Sequence, residues 1–404
     1  MRRYAFEGIH VLDFTWFAVG PVTTKYLADN GADVIRIESR ARLDGLRMAP
    51  PWRDGKPGVD NSQFFASYNT SKKGLTLDMS KPEARAIFLK LLPWADVVTE
   101  SFTPKTLRNW GLDYERMSAI KPDLIMLSTC MQGQTGPHRD YPGFGNLLAA
   151  LSGFYYSGYS PDELCPPYGA YTDFIAPRFA ACALMAALDY RRRAGQGQYI
   201  DMAQYEAALH FLAPALVDYF ATGRVMEPQA NDSARYAPHG AYRCADEDGH
   251  ERWIALAVEN DQEWTATLKV LGAASADMRL ATFSGRIADR GSVDELVGGL
   301  TRTRHAEELT VALQTAGVSA YPVQNCMDLH RDENLEAFGF WHWLDHPHMG
   351  PSPYEGLEHR LSRTPGELRS PAPTVGQHND EILTEMLGMT PAEIEQLKVD
   401  KVVF

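Results

Sequence analysis

The chain has 404 residues, 45% of them hydrophobic, and a formal charge of −13. That length supports a large core divided into more than one domain, while the acidic balance argues against nucleic-acid or anionic-membrane partners. No uninterrupted apolar run is long enough to span a bilayer, and the first residues, Met1 to Glu7, lack the apolar core of a signal peptide, so the cytoplasm is the expected compartment.

In chain order, Val11-Leu12-Asp13-Phe14-Thr15, a Gly20-Pro21 turn, a helix and then Ala32 to Glu38 predict a βαβ unit. Such a unit opens a doubly wound α/β sheet, whose ligands bind at the carboxyl ends of the strands. The first loop, Thr15 to Pro21, lacks the G-x-G-x-x-G of a dinucleotide site, so NAD is not the expected ligand. A polar loop from Arg40 to Asn61 follows, then a strand at Gly74–Asp78 and a helix at Lys81–Leu92 with Pro82 at its start. Further strands are predicted at Asp96–Glu100 and Leu124–Ser128, with one helix around Lys105–Ile120 between them.

A long apolar segment, Pro177–Leu188, runs into Arg191-Arg192-Arg193 and then Gly195, a helix C-terminus by charge and by glycine. A returning strand at Gln198–Met202 and a helix at Tyr205–Tyr219 come next. Near Gly223 the texture changes to two short strands (Gly240–Cys244 and Trp253–Val258) and several short helices, which suits a smaller α+β domain over 223–330. Residues 331–404 contain a Pro-, Gly- and Ser-rich stretch from His346 to Thr374, predicted as an extended return path, and a final helix pair at Asn379–Leu387 and Pro391–Leu397. Cys130, Cys165, Cys182, Cys244 and Cys326 lie far apart without a C-x-x-C pair, and read as inert thiols in a reducing compartment. No metal site is expected.

Two groups of residues carry candidate chemistry. Asp173 lies in Gly169-Ala170-Tyr171-Thr172-Asp173-Phe174, ahead of the apolar helix, where partial desolvation suits a nucleophile or a raised-pKa acid. Helix capping by Thr172 or Asp173 is the competing reading, and Pro177 at the first helical turn would leave Asp173 in the preceding loop. The second group is basic: Arg36, Arg40, Arg42, Arg47, Lys72, Lys73, Lys105 and Arg108 recur beside predicted strand ends, and suit a phosphate-bearing ligand or a solvated rim.

These residues also form an ordered pattern. Val11 to Thr15, Gly20-Pro21, Leu27 to Glu38, Asn69 with Lys72-Lys73, Leu77-Asp78 and Glu100-Ser101-Phe102 appear in order. Gly133-Gln134-Thr135-Gly136-Pro137, Arg192 to Asp201 and Gly376-Gln377-His378 follow. From end to end the chain resembles the class III CoA-transferases, the family of formyl-CoA transferase, carnitine CoA-transferase and the α-methylacyl-CoA racemases.

The resemblance implies a Rossmann-like large domain made from residues 1–222 and completed by 331–404, a small domain between them, and an interlocked dimer. It implies acyl-CoA and organic-acid substrates, a homodimer or a heteromeric partner subunit, and no NAD or metal. The CoA site would comprise Trp16, Phe17, Ala18, Ser39, Arg40, Leu75, Ser101, Phe102, Arg108 and Asn109. Family members often carry asparagine where Ser101 stands and arginine where Asn109 stands. Asp173 falls on the catalytic aspartate, which would pass through aspartyl anhydride and aspartyl-CoA intermediates.

Phe144 occupies the place of the racemase histidine, and a phenyl ring cannot shuttle a proton. An acyl-CoA racemase or isomerase is therefore the weaker alternative, and a non-catalytic CoA-binding subunit is another. Gly145 stands where formyl-CoA transferases tend to have glutamate. In texture the chain is most similar to aryl-succinate transferases, with succinyl-CoA as donor. Trp16 and Phe154-Tyr155-Tyr156 with Tyr159 would suit an aromatic ring or fill a core, and Arg178 or His239 would meet a second carboxylate.

Overall fold

The computed structural model describes residues 4–157, 169–273 and 277–404. Tyr159 and Cys165 lie outside the described residues. The chain forms two compact units. One is built on Glu227–Glu333, and the other draws on both sides of it, including Asn334–Phe404.

The larger unit holds a six-stranded sheet of β1 (His10–Asp13), β2 (Asp33–Glu38), β3 (Lys72–Thr76), β4 (Val97–Glu100), β5 (Ile125–Cys130) and β6 (Gln198–Ala203). All its pairings are parallel and the order is β3-β2-β1-β4-β5-β6, the doubly wound arrangement of nucleotide-binding sheets. Alternation along each strand assigns the two faces. Leu12, Ile35, Leu75, Val98 and Met126 pack on one side with Ile87, Phe88 and Leu91 of one covering helix. Val11, Val34, Val97 and Ile125 pack on the other side with Leu27, Ala180 and Leu184.

The helices of this unit are α1 (Val19–Asp29), α2 (Gln63–Ser67), α3 (Pro82–Leu91), α4 (Thr106–Trp110), α5 (Tyr114–Ile120), α6 (Gly145–Leu151), α7 (Thr172–Ala194), α8 (Gln204–Leu209) and α9 (Ala213–Thr222). Several predicted elements differ, beginning with the expected Gly20-Pro21 turn, which lies inside the first turn of α1. The single helix expected around Lys105–Ile120 is two, because Gly111 at φ 74° ends α4 and Asp113 caps α5. The helix expected at Tyr205–Tyr219 is interrupted by a tighter turn at His210–Leu212, ahead of Pro214. The apolar helix starts at Thr172, earlier than expected, with Pro177 inside it. Within the expected return path lies the second strand of a hairpin, Trp341–His346 paired antiparallel with Gly350–Glu355.

The Glu227–Glu333 unit carries a three-stranded antiparallel sheet of β7 (His239–Arg243), β8 (Trp253–Ala257) and β9 (Ser319–Pro322). The third strand was not anticipated. Its core gathers Ile254, Trp264, Val297 and Leu309. After the hairpin the chain returns to the larger sheet, where Ile382, Leu383, Ile394, Val402 and Val403 are buried against the face that holds Leu75. No helix among the described residues is long and apolar enough to cross a membrane.

Candidate active site

The loop after β1 is shaped by buried charge instead of glycine. Asp13 ends the strand with no exposed surface, and its carboxylate accepts from Thr15 N at 2.8 Å, Thr15 Oγ1 at 2.5 Å, Thr24 Oγ1 at 2.6 Å and Thr99 Oγ1 at 3.0 Å. Lys72 Nζ lies 3.3 Å from the same carboxylate. Burial opposes the charge on both groups. It pulls the Lys72 ammonium down to about 8, whereas Lys72, Arg36 and the hydroxyl donors hold Asp13 below the usual carboxylate range.

Arg36, equally buried, donates to Thr15 O at 2.8 Å and pairs with Asp44. Asp44 in turn accepts from Phe17 N at 3.2 Å and Leu46 N at 2.9 Å. These bonds hold Phe17 in the left-handed region at φ 60°, a conformation costly for a bulky residue.

The carboxyl edge of the sheet brings several sequence-predicted residues together. Trp16 N donates to Ser101 Oγ at 2.9 Å, and the Trp16 ring meets Phe102 edge-on at 5.6 Å. Phe102 packs on Trp110 at 5.5 Å, at the end of the helix that carries the exposed Arg108 and Asn109. Ser39 and Arg40 follow β2, and Ser39 bridges to Arg42, whose guanidinium sits over the Trp16 ring at 5.5 Å. Glu100, buried at the end of β4, accepts from Phe102 N at 2.7 Å and Gln134 Nε2 at 3.1 Å, so it joins the loops after β4 and β5. Burial pushes its carboxyl up to about 7.

Two more predicted residues lie at this edge with buried side chains: Ala18, directly after Phe17, packs beside Leu46 and Phe65, and Leu75, near the end of β3, points into the core. The basic group divides: Arg36, Arg47 and Lys72 are buried, Arg47 bonding Glu38 and Asp60, so these three cations serve the fold and are not free for phosphates. Lys73 is the second residue of β3, away from the carboxyl edge, and pairs with Glu381. Arg40, Arg42 and Arg108 remain exposed at the carboxyl edge, as does Lys105, which lies 3.6 Å from Asp140.

Asp173 sits in the first turn of α7, not in the loop before it. The turn starts early because Asp173 N bonds Ala170 O at 2.8 Å and Phe174 N bonds Tyr171 O at 3.1 Å. Pro177 falls four residues on, so it supplies no amide to the Asp173 carbonyl. The carboxylate is half-buried and receives the side-chain amide of Gln204, which also donates to Thr172 Oγ1 at 3.0 Å. Burial pushes Asp173 up to about 6 against that hydrogen bond, with no cation or second carboxylate among the described residues shifting it.

Gly145 lies directly against Asp173: a Cβ on Gly145 would stand 2.4 Å from Asp173 Oδ1. Phe144, next to it, meets Phe17 of the first loop at 5.1 Å. The predicted nucleophile and the first loop thus share one neighbourhood. The sequence reading did not single out Gln204 or Asp44. Gln204 directly follows β6, and the rule that ligands gather at strand carboxyl ends points to it.

Phe154 and Tyr155 pack with Ile175 and Leu212 in a core cluster, leaving Tyr156 exposed. Arg178 lines a cavity of about 500 Å³ with Tyr26, Phe174, Met185 and His359. His239, in the other unit, bonds Asn231 O and stacks on Tyr236. Among the described residues no group of three or more His, Cys, Asp or Glu could hold a metal ion.

Known proteins resemble this chain over nearly its whole length. The succinyl-CoA–D-citramalate CoA-transferase of Chloroflexus aurantiacus is 31% identical over 98% of this chain and 98% of its own. The succinyl-CoA:(R)-benzylsuccinate CoA-transferase subunit BbsE of Thauera aromatica is 30% identical over 97% of this chain and 96% of its own. The crystal structure of a CAIB/BAIF family protein from Brucella suis superposes with a TM-score of 0.88 at 28% identity, covering 95% of this chain and all of that one. The profile of CoA-transferase family III matches residues 6–379, and the chain belongs to that family, as a CoA-transferase.

Proposed function

We propose that this CoA-transferase moves CoA from succinyl-CoA to an aryl-substituted dicarboxylic acid, with Asp173 as nucleophile and a homodimer as the working assembly. The observation that carries the reading is the Asp173 carboxylate, half-buried and without an ion-pair partner among the described residues, beside the loop that holds Trp16 and Phe17. Both relatives described above are named for succinyl-CoA and a dicarboxylic acid, which supports that donor and acceptor class. The exposed Phe17–Phe144 pair supports an aryl group on the acceptor, because it offers an apolar edge next to the carboxylate.

An Asp173 oxygen adds to the thioester carbonyl, the C–S bond breaks and CoA leaves as thiolate, giving an aspartyl–succinyl anhydride. The thiolate attacks the aspartyl carbonyl and succinate leaves, giving aspartyl-CoA. The acceptor carboxylate then displaces the thiolate, and the thiolate attacks the acceptor carbonyl of the second anhydride. That last step releases the new thioester and restores the carboxylate. No net proton is consumed. Exclusion of water protects each intermediate from hydrolysis.

The test is to incubate the protein with succinyl-CoA and benzylsuccinate, phenylsuccinate, malate, citramalate or glutarate, following new thioesters by mass spectrometry. Aryl-succinyl-CoA formation that disappears in Asp173→Asn supports the whole reading. Transfer only to aliphatic acids removes the aryl acceptor, and transfer only after addition of a second chain replaces the homodimer with a heteromer.

A further inference from the structure

We infer that Gln204 is a positioning residue for the transfer: its amide fixes one Asp173 oxygen and leaves the other free to attack. This rests on the assignment of Asp173 as nucleophile. The Gln204 side chain is 5% exposed, and its Nε2 bonds both Asp173 Oδ1 and, at 3.0 Å, Thr172 Oγ1. The orientation of the amide follows from its partners. A carboxylate only accepts, and the Thr172 hydroxyl donates to Gly145 O at 3.2 Å, so both atoms require a donor.

The brace is closed from the far side. Gly145 O accepts the hydrogen bond from the Thr172 hydroxyl, and the Gly145 Cα leaves room for Asp173 Oδ1 where a Cβ would stand. Three segments, the starts of α6, α7 and α8, therefore converge on one carboxylate. Among the described residues Oδ2 has no hydrogen-bond partner. Attack requires a lone pair aimed within a fraction of an ångström of its line of approach. A carboxylate anchored through one oxygen keeps that aim through the successive anhydride and thioester steps.

The experiment compares wild type, Gln204→Met, Thr172→Val and Asp173→Asn. Gln204→Met keeps the side-chain volume and removes the donor. It is expected to lower kcat about 10–100-fold, to leave KM for succinyl-CoA within about twofold, and to shift the acidic limb of the kcat profile to higher pH. A loss of packing alone would not move that limb.

A Gln204→Met enzyme with wild-type kcat and acidic limb overturns the inference, as does one whose defect lies in KM only. Should that variant melt below the assay temperature, Thr172→Val decides. A smaller fall with the same shift of the limb is expected, and an unchanged profile overturns the inference. Asp173→Asn separates the two readings. If it keeps wild-type transfer, and hydroxylamine (which expels CoA from an acyl thioester and leaves a hydroxamate) marks a residue other than 173, the nucleophile assignment has failed. If it is inactive while Gln204→Met behaves as wild type, only the positioning role has failed.

Discussion

Gly145→Ala is expected to lower turnover about 100-fold while leaving the fold intact. The added methyl would lie 2.4 Å from Asp173 Oδ1, 2.7 Å from its Cγ and 2.7 Å from Ala170 Cβ. Weak C···O contacts settle at about 3.3–3.6 Å, so the carboxylate must retreat by roughly 1 Å. Misplacement on that scale costs about 100-fold in rate.

The effect on stability is smaller, because two terms oppose each other. Overpacking costs about 1–3 kcal/mol, and replacing the glycine that begins α6 returns at most about 0.5 kcal/mol. The backbone at Gly145 is not left-handed, so alanine adds no strain there. Steady-state transfer from succinyl-CoA, trapping of the Asp173 adduct and thermal melting should be read together. A folded Gly145→Ala enzyme with wild-type kcat would refute the close seating of the nucleophile. Gly298→Ala is the matched control, since its Cβ meets nothing within 4 Å.

Other outcomes follow from the same contacts. Gly298→Ala should stabilise the Glu227–Glu333 unit by about 0.5–1 kcal/mol in urea unfolding with activity unchanged. Asp173, raised from 3.8 to about 6 in the folded chain, binds more protons folded than unfolded between those values, so stability falls as pH rises through that window. Asp173→Asn should therefore be more stable than wild type at pH 8, by at most about 3 kcal/mol, with the difference gone below about pH 3. Wild-type kcat should drop as pH falls through about 6.

Arg36→Met strands Asp44 without its cation and should cost about 3–5 kcal/mol. It should also raise KM for the CoA thioester, because the Thr15 and Phe17 contacts loosen. An unchanged urea midpoint would count against the buried pair. Phe144→Ala should raise KM for benzylsuccinate about 2–12-fold, from an aromatic contact of about 0.5–1.5 kcal/mol, and leave malate unaffected. Equal effects on both acids would remove the aryl subsite.

The strands of the large sheet were legible because period-two runs such as Val11-Leu12 and Val34-Ile35 are buried on both faces, which leaves a continuous apolar signal. The third strand of the other unit was not: Ser319-Ala320-Tyr321-Pro322 is short, ends in proline and has one buried residue. Helix breaks at Gly111 and before Pro214 were marked by breaker residues that periodicity had overridden.

Asp173 was legible as a type of residue in an unusual place, but its partner Gln204 comes from 31 positions away, a separation no local pattern carries. The buried state of Arg36, Arg47 and Lys72 was equally hidden. A cation in a sequence looks the same whether its counter-charge comes from solvent or from Asp44, Glu38 and Asp13.

The larger unit is discontinuous, and this has a consequence for its synthesis. The ribosome makes β1 to β6 first, yet the face that buries Leu75 also needs Ile382, Leu383, Ile394, Val402 and Val403. Glu227–Glu333, a contiguous stretch with its own core, has all its parts in hand earlier. Early helices bring Ile87, Phe88 and Leu91 onto that face, but its cover is complete only with the last residues, and through that interval part of its apolar surface stands open to chaperones or to other nascent chains.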